Sequence, residues 1–200
     1  MTVHPLQHIL KEKGYKLILS SNSPRRQELI KGLGIDYTVK TIPDVDESFP
    51  AHLTGEDIPL YISRSKADAY KKHILPDELI ITADTIVWAD GKVLGKPSDA
   101  EDAFRMLREL SGKTHQVFTG VCLTACEWQT CFSAATEVTF AELSDQEIMY
   151  YVENYKPFDK AGAYGVQEWI GYIGVQGISG SYYNVMGLPI QKLYRVLKEL

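Results

Sequence analysis

Apolar and polar positions fall in blocks whose spacing switches between strand and helix. Leu17-Ile18-Leu19 is a short apolar run that ends in Ser20-Ser21-Asn22. A run bounded in that way predicts a strand over Lys16–Ser20. Ser23 is a good N-cap and Pro24 suits the first helical position, so a helix is expected from Pro24 to Leu33, stopped by Gly32 or Gly34. A strand near Tyr37–Thr41, an acidic loop, a helix from about Gly55 to His73 and a strand over Leu79–Val87 follow. This β-α-β-α-β order predicts an α/β sheet. Asp90-Gly91 reads as a hairpin turn between Ile86-Val87-Trp88 and Val93-Leu94. Beyond Lys96-Pro97, a helix is expected to open on the capping box Ser98-x-x-Glu101 and to close at Ser111-Gly112. Gln116 to Phe140 reads as two long strands joined near Glu127-Trp128-Gln129. A second capping box, Ser144-x-x-Glu147, opens a helix over Asp145–Tyr155; a Gly-rich strand pair over Ala163–Val175 and a closing helix over Leu188–Leu200 complete the pattern. Gly171 to Gly187 is too aromatic and apolar for a disordered tether and reads as turns lining a cleft.

Composition narrows the class. A chain of 200 residues with 44% hydrophobic content can bury a proper core. No run approaches the ~18 apolar residues of a membrane span. Met1 to Gly14 carries Lys11, Glu12 and Lys13 and lacks the apolar centre of a signal peptide, so a cytoplasmic location is expected. A net charge of −5 argues against wholesale binding to a nucleic-acid backbone. Any basic site is then a local pocket, and the expected partner is a small molecule rather than a nucleic acid or a membrane. Cys122, Cys126 and Cys131 match no zinc spacing and have no histidine between them. On the expected hairpin Cys126 and Cys131 come nearest one another, but reduced, buried strand thiols are the plainer expectation.

Candidate chemistry is scattered, as befits a site built from loops. The helix start after Ser21-x-Ser23-Pro24 points free N–H groups and the guanidinium groups of Arg25 and Arg26 into one loop. Such a loop is a phosphate cradle, because helix N-termini favour anions and arginine forks fit phosphate oxygens; an ordinary capped helix with solvated arginines is the bland alternative. Asp84 interrupts the apolar run Leu79 to Val87, where a carboxylate is either paired, a cation ligand or a base, or else caps a strand bend. Asp44, Asp46 and Glu47 form an acidic loop able to bind a hard divalent cation, or a solvated turn. Lys96, with Pro97 and a helix start behind it, is well placed to meet an anion. Lys66, on a helix, needs no role beyond facing water. Gln167, after a Gly/Ala-rich stretch, carries an amide that could bond a base edge.

The ordered set Ser21-x-Ser23-Pro24-Arg25-Arg26, Asp46-Glu47, Ser65-Lys66-Ala67, Ala83-Asp84-Thr85, Gly95-Lys96-Pro97, Leu110-Ser111-Gly112-x-x-His115, Lys160-Ala161-Gly162-Ala163-Tyr164-Gly165-x-Gln167 and Gly187-Leu188-Pro189 resembles the Maf family of nucleoside triphosphate pyrophosphatases. The resemblance runs through one domain, residues 16–200, and leaves residues 1–15 as an N-terminal extension. Leu6, Ile9 and Leu10 give that extension a short amphipathic pattern, expected to fray or to pack as a helix. The resemblance implies an α/β fold similar to the inosine triphosphate pyrophosphatases: a mixed twisted sheet with flanking helices and two lobes around a cleft. It also implies a divalent metal, Mg²⁺ or Mn²⁺, and a homodimer. Thr82 departs from the family, where a glycine is common before Ala-Asp-Thr.

Arg25, Thr85 and Gln167 are similar to the family's dTTP/UTP subgroup and are the implied specificity residues. The implied reaction is hydrolysis of dTTP or UTP to the monophosphate and pyrophosphate. Asp84 is the implied proton acceptor, Glu47 and Asp84 the metal ligands, and Ser21, Ser23, Arg26, Lys66 and Lys96 the groups that hold the phosphates. Two alternatives use the same cradle: a nucleotide-binding regulator of cell division and septum formation, and a broader house-cleaning pyrophosphatase for modified nucleotides. Asp84 and Glu47 favour catalysis, since sensing alone needs no carboxylate and metal at the α-phosphate.

Overall fold

The structure, a computed structural model, describes residues 4–200. Strands β1 (Lys16–Leu19), β2 (Thr38–Val39), β3 (Glu78–Ala89), β4 (Lys92–Leu94), β5 (Thr114–Thr124), β6 (Gln129–Phe140) and β7 (Val175–Ser179) form a seven-stranded sheet ordered β2-β1-β3-β5-β6-β7, with β4 paired to β3. β1 runs parallel to β2 and β3, whereas the β3–β4 and β6–β7 pairs are antiparallel, so the sheet is mixed. Leu17–Leu19 and Leu79–Ile81 are buried, as expected where parallel strands are covered on both faces. The helices are α1 (Pro5–Glu12), α2 (Pro24–Gly32), α3 (Asp57–Lys71), α4 (Ala100–Leu110), α5 (Asp145–Tyr155), α6 (Trp169–Gly174), α7 (Tyr182–Met186) and α8 (Ile190–Lys198). Among the described residues no helix is long and apolar enough to cross a membrane.

The chain gathers into two compact units, and the division falls inside β3 between Asp84 and Thr85. The first holds the described chain up to Asp84, Thr119–Ala134 and Gly187–Leu200. Its N-terminal helix α1 packs on α8 and buries Leu6 and Leu10, so this part of the extension is a packing helix. Helix α3 sits hard against β5. A Cβ at Gly120 would stand 2.3 Å from the Pro59 carbonyl oxygen, so only glycine lets the strand approach the first turn of the helix. Thr82, the departure from the family pattern, is fully buried and donates its hydroxyl to the Ser63 carbonyl at 2.8 Å, which ties β3 to α3.

The β5–β6 hairpin corrects the cysteine expectation. Cys122 and Cys131 form a disulfide with their Cα atoms 4.1 Å apart, and Cys126 is the free thiol. The cause is register. Ala125 N–H donates to the Trp128 carbonyl at 2.9 Å, which centres the turn on Cys126-Glu127, ahead of the expected Glu127-Trp128-Gln129. Cys122 then lies opposite Cys131, and Cys126 turns toward the Leu75 carbonyl.

The second unit comprises Thr85–Phe118 and Ala135–Met186. Ser144 and Glu147 form the expected capping box on α5. Helix α4 is capped one residue later than expected. Asp99 accepts the Asp102 N–H at 2.8 Å, while Ser98 gives its own N–H to the Asp102 carboxylate. The expected Gly-rich strand pair is absent from Ala163–Val175; a 3-10 turn at Ala161–Ala163 and helix α6 stand in its place. Gly162 and Ala163 both take left-handed φ, 68° and 59°, a reversal that regular strand geometry does not contain. The stretch expected to be turns, Gly171 to Gly187, contains most of α6, then β7 and α7.

Candidate functional site

The turn after β1 is built by its own serines. Ser20 N–H extends the ladder to Ile81, Ser21 Oγ accepts Ser23 N–H at 3.2 Å, and Ser23 caps α2 by accepting Arg26 N–H at 3.5 Å. Arg26 folds back from the first turn of α2. Its Nε donates to the Gly187 carbonyl at 2.8 Å and its Nη1 to the Ala83 carbonyl at 2.9 Å. Burial pulls the guanidinium pKa down and the Asp84 carboxylate pulls it back up; the group stays a cation. Arg26 is thus a charge held in one orientation by two main-chain oxygens. Arg25, the next residue toward the N-terminus, is half-buried.

Asp84 is reached from the helix that Gly120 seats. Lys66 Nζ lies 2.8 Å from Asp84 Oδ1 and 2.9 Å from Glu47 Oε1. The side chains of Lys66 and Asp84 are 16% and 12% exposed and that of Glu47 is 52% exposed. The Glu47 contact is therefore worth at most about 1 kcal/mol, whereas stripping one partner from a buried pair costs ~3–5 kcal/mol. The acidic loop is divided in use. Asp46 accepts Ser48 N–H and Oγ–H, both at 2.8 Å, and those bonds lower its pKa; Glu47 alone reaches Lys66.

Two carboxylates converge on one positive charge. Among the described residues no group of three His, Cys, Asp or Glu is arranged to hold a metal. A pair of carboxylates fits Mg²⁺ or Mn²⁺ nonetheless, because such ions bind through one or two carboxylates and take their remaining ligands from water and phosphate oxygens.

Thr85, Lys96 and Gln167 belong to the second unit. Thr85 follows Asp84 on β3. Lys96 is exposed in the loop before α4, and the carbonyl of Gly95 beside it accepts Gly162 N–H at 3.0 Å. That bond fastens the Lys96 loop to the segment that carries Gln167. The Gln167 Oε1 atom is buried and has no hydrogen-bond donor among the described residues. A buried acceptor left so costs about 1–3 kcal/mol, which a ligand N–H would recover.

Within the first unit the structure therefore brings Ser21, Ser23, Arg26, Glu47, Lys66 and Asp84 together where β1 ends beside the middle of β3. In the second it brings the Lys96 loop beside the Gln167 segment. Sequence reasoning missed the Ala83 and Gly187 carbonyls that aim Arg26. Gly187 stood in a recognised motif, but a main-chain acceptor leaves no side-chain signal.

Residues 16–200 match the family described as Maf-like protein. The dTTP/UTP pyrophosphatase of Bacteroides thetaiotaomicron is 69% identical over 186 residues, 93% of this chain and 96% of that protein. The dTTP/UTP pyrophosphatase of Flavobacterium johnsoniae is 47% identical, covering 96% of this chain and 100% of its own. Among solved structures the Staphylococcus aureus Ham1 protein superposes with a TM-score of 0.52 at 17% identity, over 92% of this chain and 98% of that one, a likeness of fold. The family match over residues 16–200 and the 69% identity carry the assignment: the chain belongs to the Maf-like protein family.

Proposed function

We propose that this chain is a nucleoside triphosphate pyrophosphatase that hydrolyses dTTP and UTP to the nucleoside monophosphate and pyrophosphate. The observation that carries the reading is the Asp84–Lys66–Glu47 cluster beside the fixed Arg26, in a chain 69% identical to a protein of that name. Binding a triphosphate requires cations. Cleaving it also requires a carboxylate to take a proton from water.

Asp84 accepts that proton as the water oxygen bonds to the α-phosphorus, and the bond from the α-phosphorus to the bridging oxygen breaks, releasing pyrophosphate. Lys66 holds the Asp84 carboxylate in place through its 2.8 Å bond. Arg26, Lys66 and Lys96 offset charge gathering on the leaving group, and Ser21 and Ser23 shape the turn whose N–H groups face the phosphates. A divalent cation held by Glu47 and Asp84 would neutralise phosphate charge and acidify a bound water. Gln167 reads the base. Its buried Oε1 suits the N3–H of uracil or thymine, which cytosine lacks; Arg25 and Thr85 are the further residues that the family resemblance implicates in base choice. The donor missing from cytosine sets a preference over CTP of roughly 5- to 150-fold, from ~1–3 kcal/mol.

The test is pyrophosphate release from dTTP, UTP, CTP, dATP, GTP, ITP and 7-methyl-GTP with Mg²⁺ or Mn²⁺, and with EDTA as control. Metal-dependent release concentrated on dTTP and UTP is the expected result. Saturable binding without turnover would replace the enzyme by a nucleotide-sensing regulator, and release spread across the panel would replace it by a broader house-cleaning hydrolase.

A further inference from the structure

We propose that the Tyr151 hydroxyl, with Glu168 and Lys160, is a positioning device that sets the direction of Gln167; this rests on the reading of Gln167 as the base-reading residue. Glu168 N–H donates to the Gly165 carbonyl at 2.9 Å. That bond closes a four-residue turn in which Val166 and Gln167 are the two central residues. Val166 is buried and anchors one of them. The direction of the other follows from how the ends of the turn are held.

Both ends meet at one oxygen. Tyr151, on α5, is fully buried; its hydroxyl accepts the Gly165 N–H at 3.0 Å and donates to the Glu168 carboxylate. The other Glu168 oxygen lies 3.1 Å from the ammonium of Lys160, itself only 8% exposed, and Asp159 meets the same ammonium at 2.7 Å. There is no slack in this packing. A Cβ on Gly165 would stand 2.8 Å from the Glu168 carboxylate carbon and 3.1 Å from Lys160 Cε. On the far side Gly171 N–H donates to the Glu168 carbonyl at 2.8 Å, and a Cβ on Gly171 would overlap the Val166 carbonyl. Burial and the Glu168 carboxylate both push the phenol pKa far up, so the proton stays on the hydroxyl and remains a donor.

Packing alone would be served by a phenylalanine. The hydroxyl earns its place in an apolar interior only through its partners, and those partners are the first and fourth residues of the Gln167 turn. A side chain that contributes one buried acceptor to a ligand must be held to within about 0.5 Å, which a turn gripped at both ends supplies.

The experiment compares pyrophosphate release from UTP and CTP by the wild type, Tyr151→Phe, Glu168→Gln and Gln167→Ala, with kcat and KM determined separately. Tyr151→Phe is expected to lower kcat/KM for UTP about tenfold, mostly through KM, and to shrink the UTP:CTP preference toward that of Gln167→Ala. Glu168→Gln, which keeps an acceptor for the phenol but loses the ion pair, is expected to move the preference part of the way. It carries the test on its own if Tyr151→Phe does not fold. A merely structural hydroxyl would lower thermal stability and leave the UTP:CTP ratio within twofold of wild type. That outcome, together with a collapsed ratio in Gln167→Ala, overturns the proposal while sparing the base-reading role. An unchanged ratio in Gln167→Ala removes that role and the positioning device with it.

Discussion

Replacing Asp84 by Asn separates chemistry from folding more cleanly than any other single change. The asparagine keeps an oxygen that can accept the 2.8 Å bond from Lys66, and Lys66 keeps Glu47 at 2.9 Å as a counter-charge. The ~3–5 kcal/mol penalty of a stranded buried cation is therefore avoided, and what is lost is the charge assistance of one hydrogen bond, about 1 kcal/mol. In a chain of 200 residues that moves the melting temperature by roughly 2–4 °C. The amide cannot take a proton from water. Losing a general base costs about 10²- to 10⁴-fold in kcat, or roughly 3–5 kcal/mol of barrier. The assay is initial-rate pyrophosphate release at saturating UTP, with thermal unfolding of the same preparation. Retention of a tenth or more of wild-type kcat would refute Asp84 as the proton acceptor. A melting temperature more than about 10 °C lower would place the carboxylate in the fold rather than in the reaction.

Other residues give sharp expectations. His115 is buried with Nε2 at 2.8 Å from the Tyr164 hydroxyl, and burial pulls its pKa from 6.5 to about 4. Its charged form is disfavoured in the folded state, so its contribution is complete above pH 6.5 and is lost as pH falls toward 4. Urea unfolding at pH 7.5 and 4.5 should show about 2.5 kcal/mol less pH-dependent loss in His115→Gln than in the wild type, and equal losses would refute this. The Cys122–Cys131 disulfide spans a sequence separation of 9, so reduction, or Cys122→Ala with Cys131→Ala, should cost ~2.5 kcal/mol; an unchanged denaturant midpoint counts against it. Gly120→Ala must push Pro59 away from a 2.3 Å clash, and should lower stability by more than ~2 kcal/mol in denaturant titration; a change under 0.5 kcal/mol would show that α3 yields.

Local chemistry was legible in the sequence, and tertiary registration was not. Ser23-Pro24 announced α2 and Ser144-x-x-Glu147 announced α5, because a cap is satisfied within three residues of itself. The apolar run from Leu79 marked β3 and singled out Asp84, because burial taxes a lone carboxylate wherever it lies. The Gly-rich segment after Lys160 misled, since apolar residues among glycines fit a strand and a tight turn equally. Two consecutive left-handed residues, one of them Ala163, decided for the turn. Cys122 and Cys131 met because the hairpin turns ahead of the expected place, and hydrophobic spacing fixes a strand's faces better than its turn. Lys66 had no distinguishing neighbour in sequence. Its partners, Glu47 and Asp84, lie on other elements, and the motif resemblance alone had marked it.

The anchoring of Arg26 bears on how the chain is made. Its guanidinium rests on the carbonyl of Gly187, 161 positions away in sequence, as well as on that of Ala83. A nascent chain emerging N-terminus first presents the serine turn and α2 early, yet the arginine gains its second anchor only after Gly187 has cleared the ribosome. Until then Arg26 has the Ala83 carbonyl but not that of Gly187, and a protein truncated before Gly187 would carry these phosphate-facing side chains without that anchor. The phosphate-facing turn is thus completed by a main-chain oxygen synthesised 161 positions after the arginine it holds.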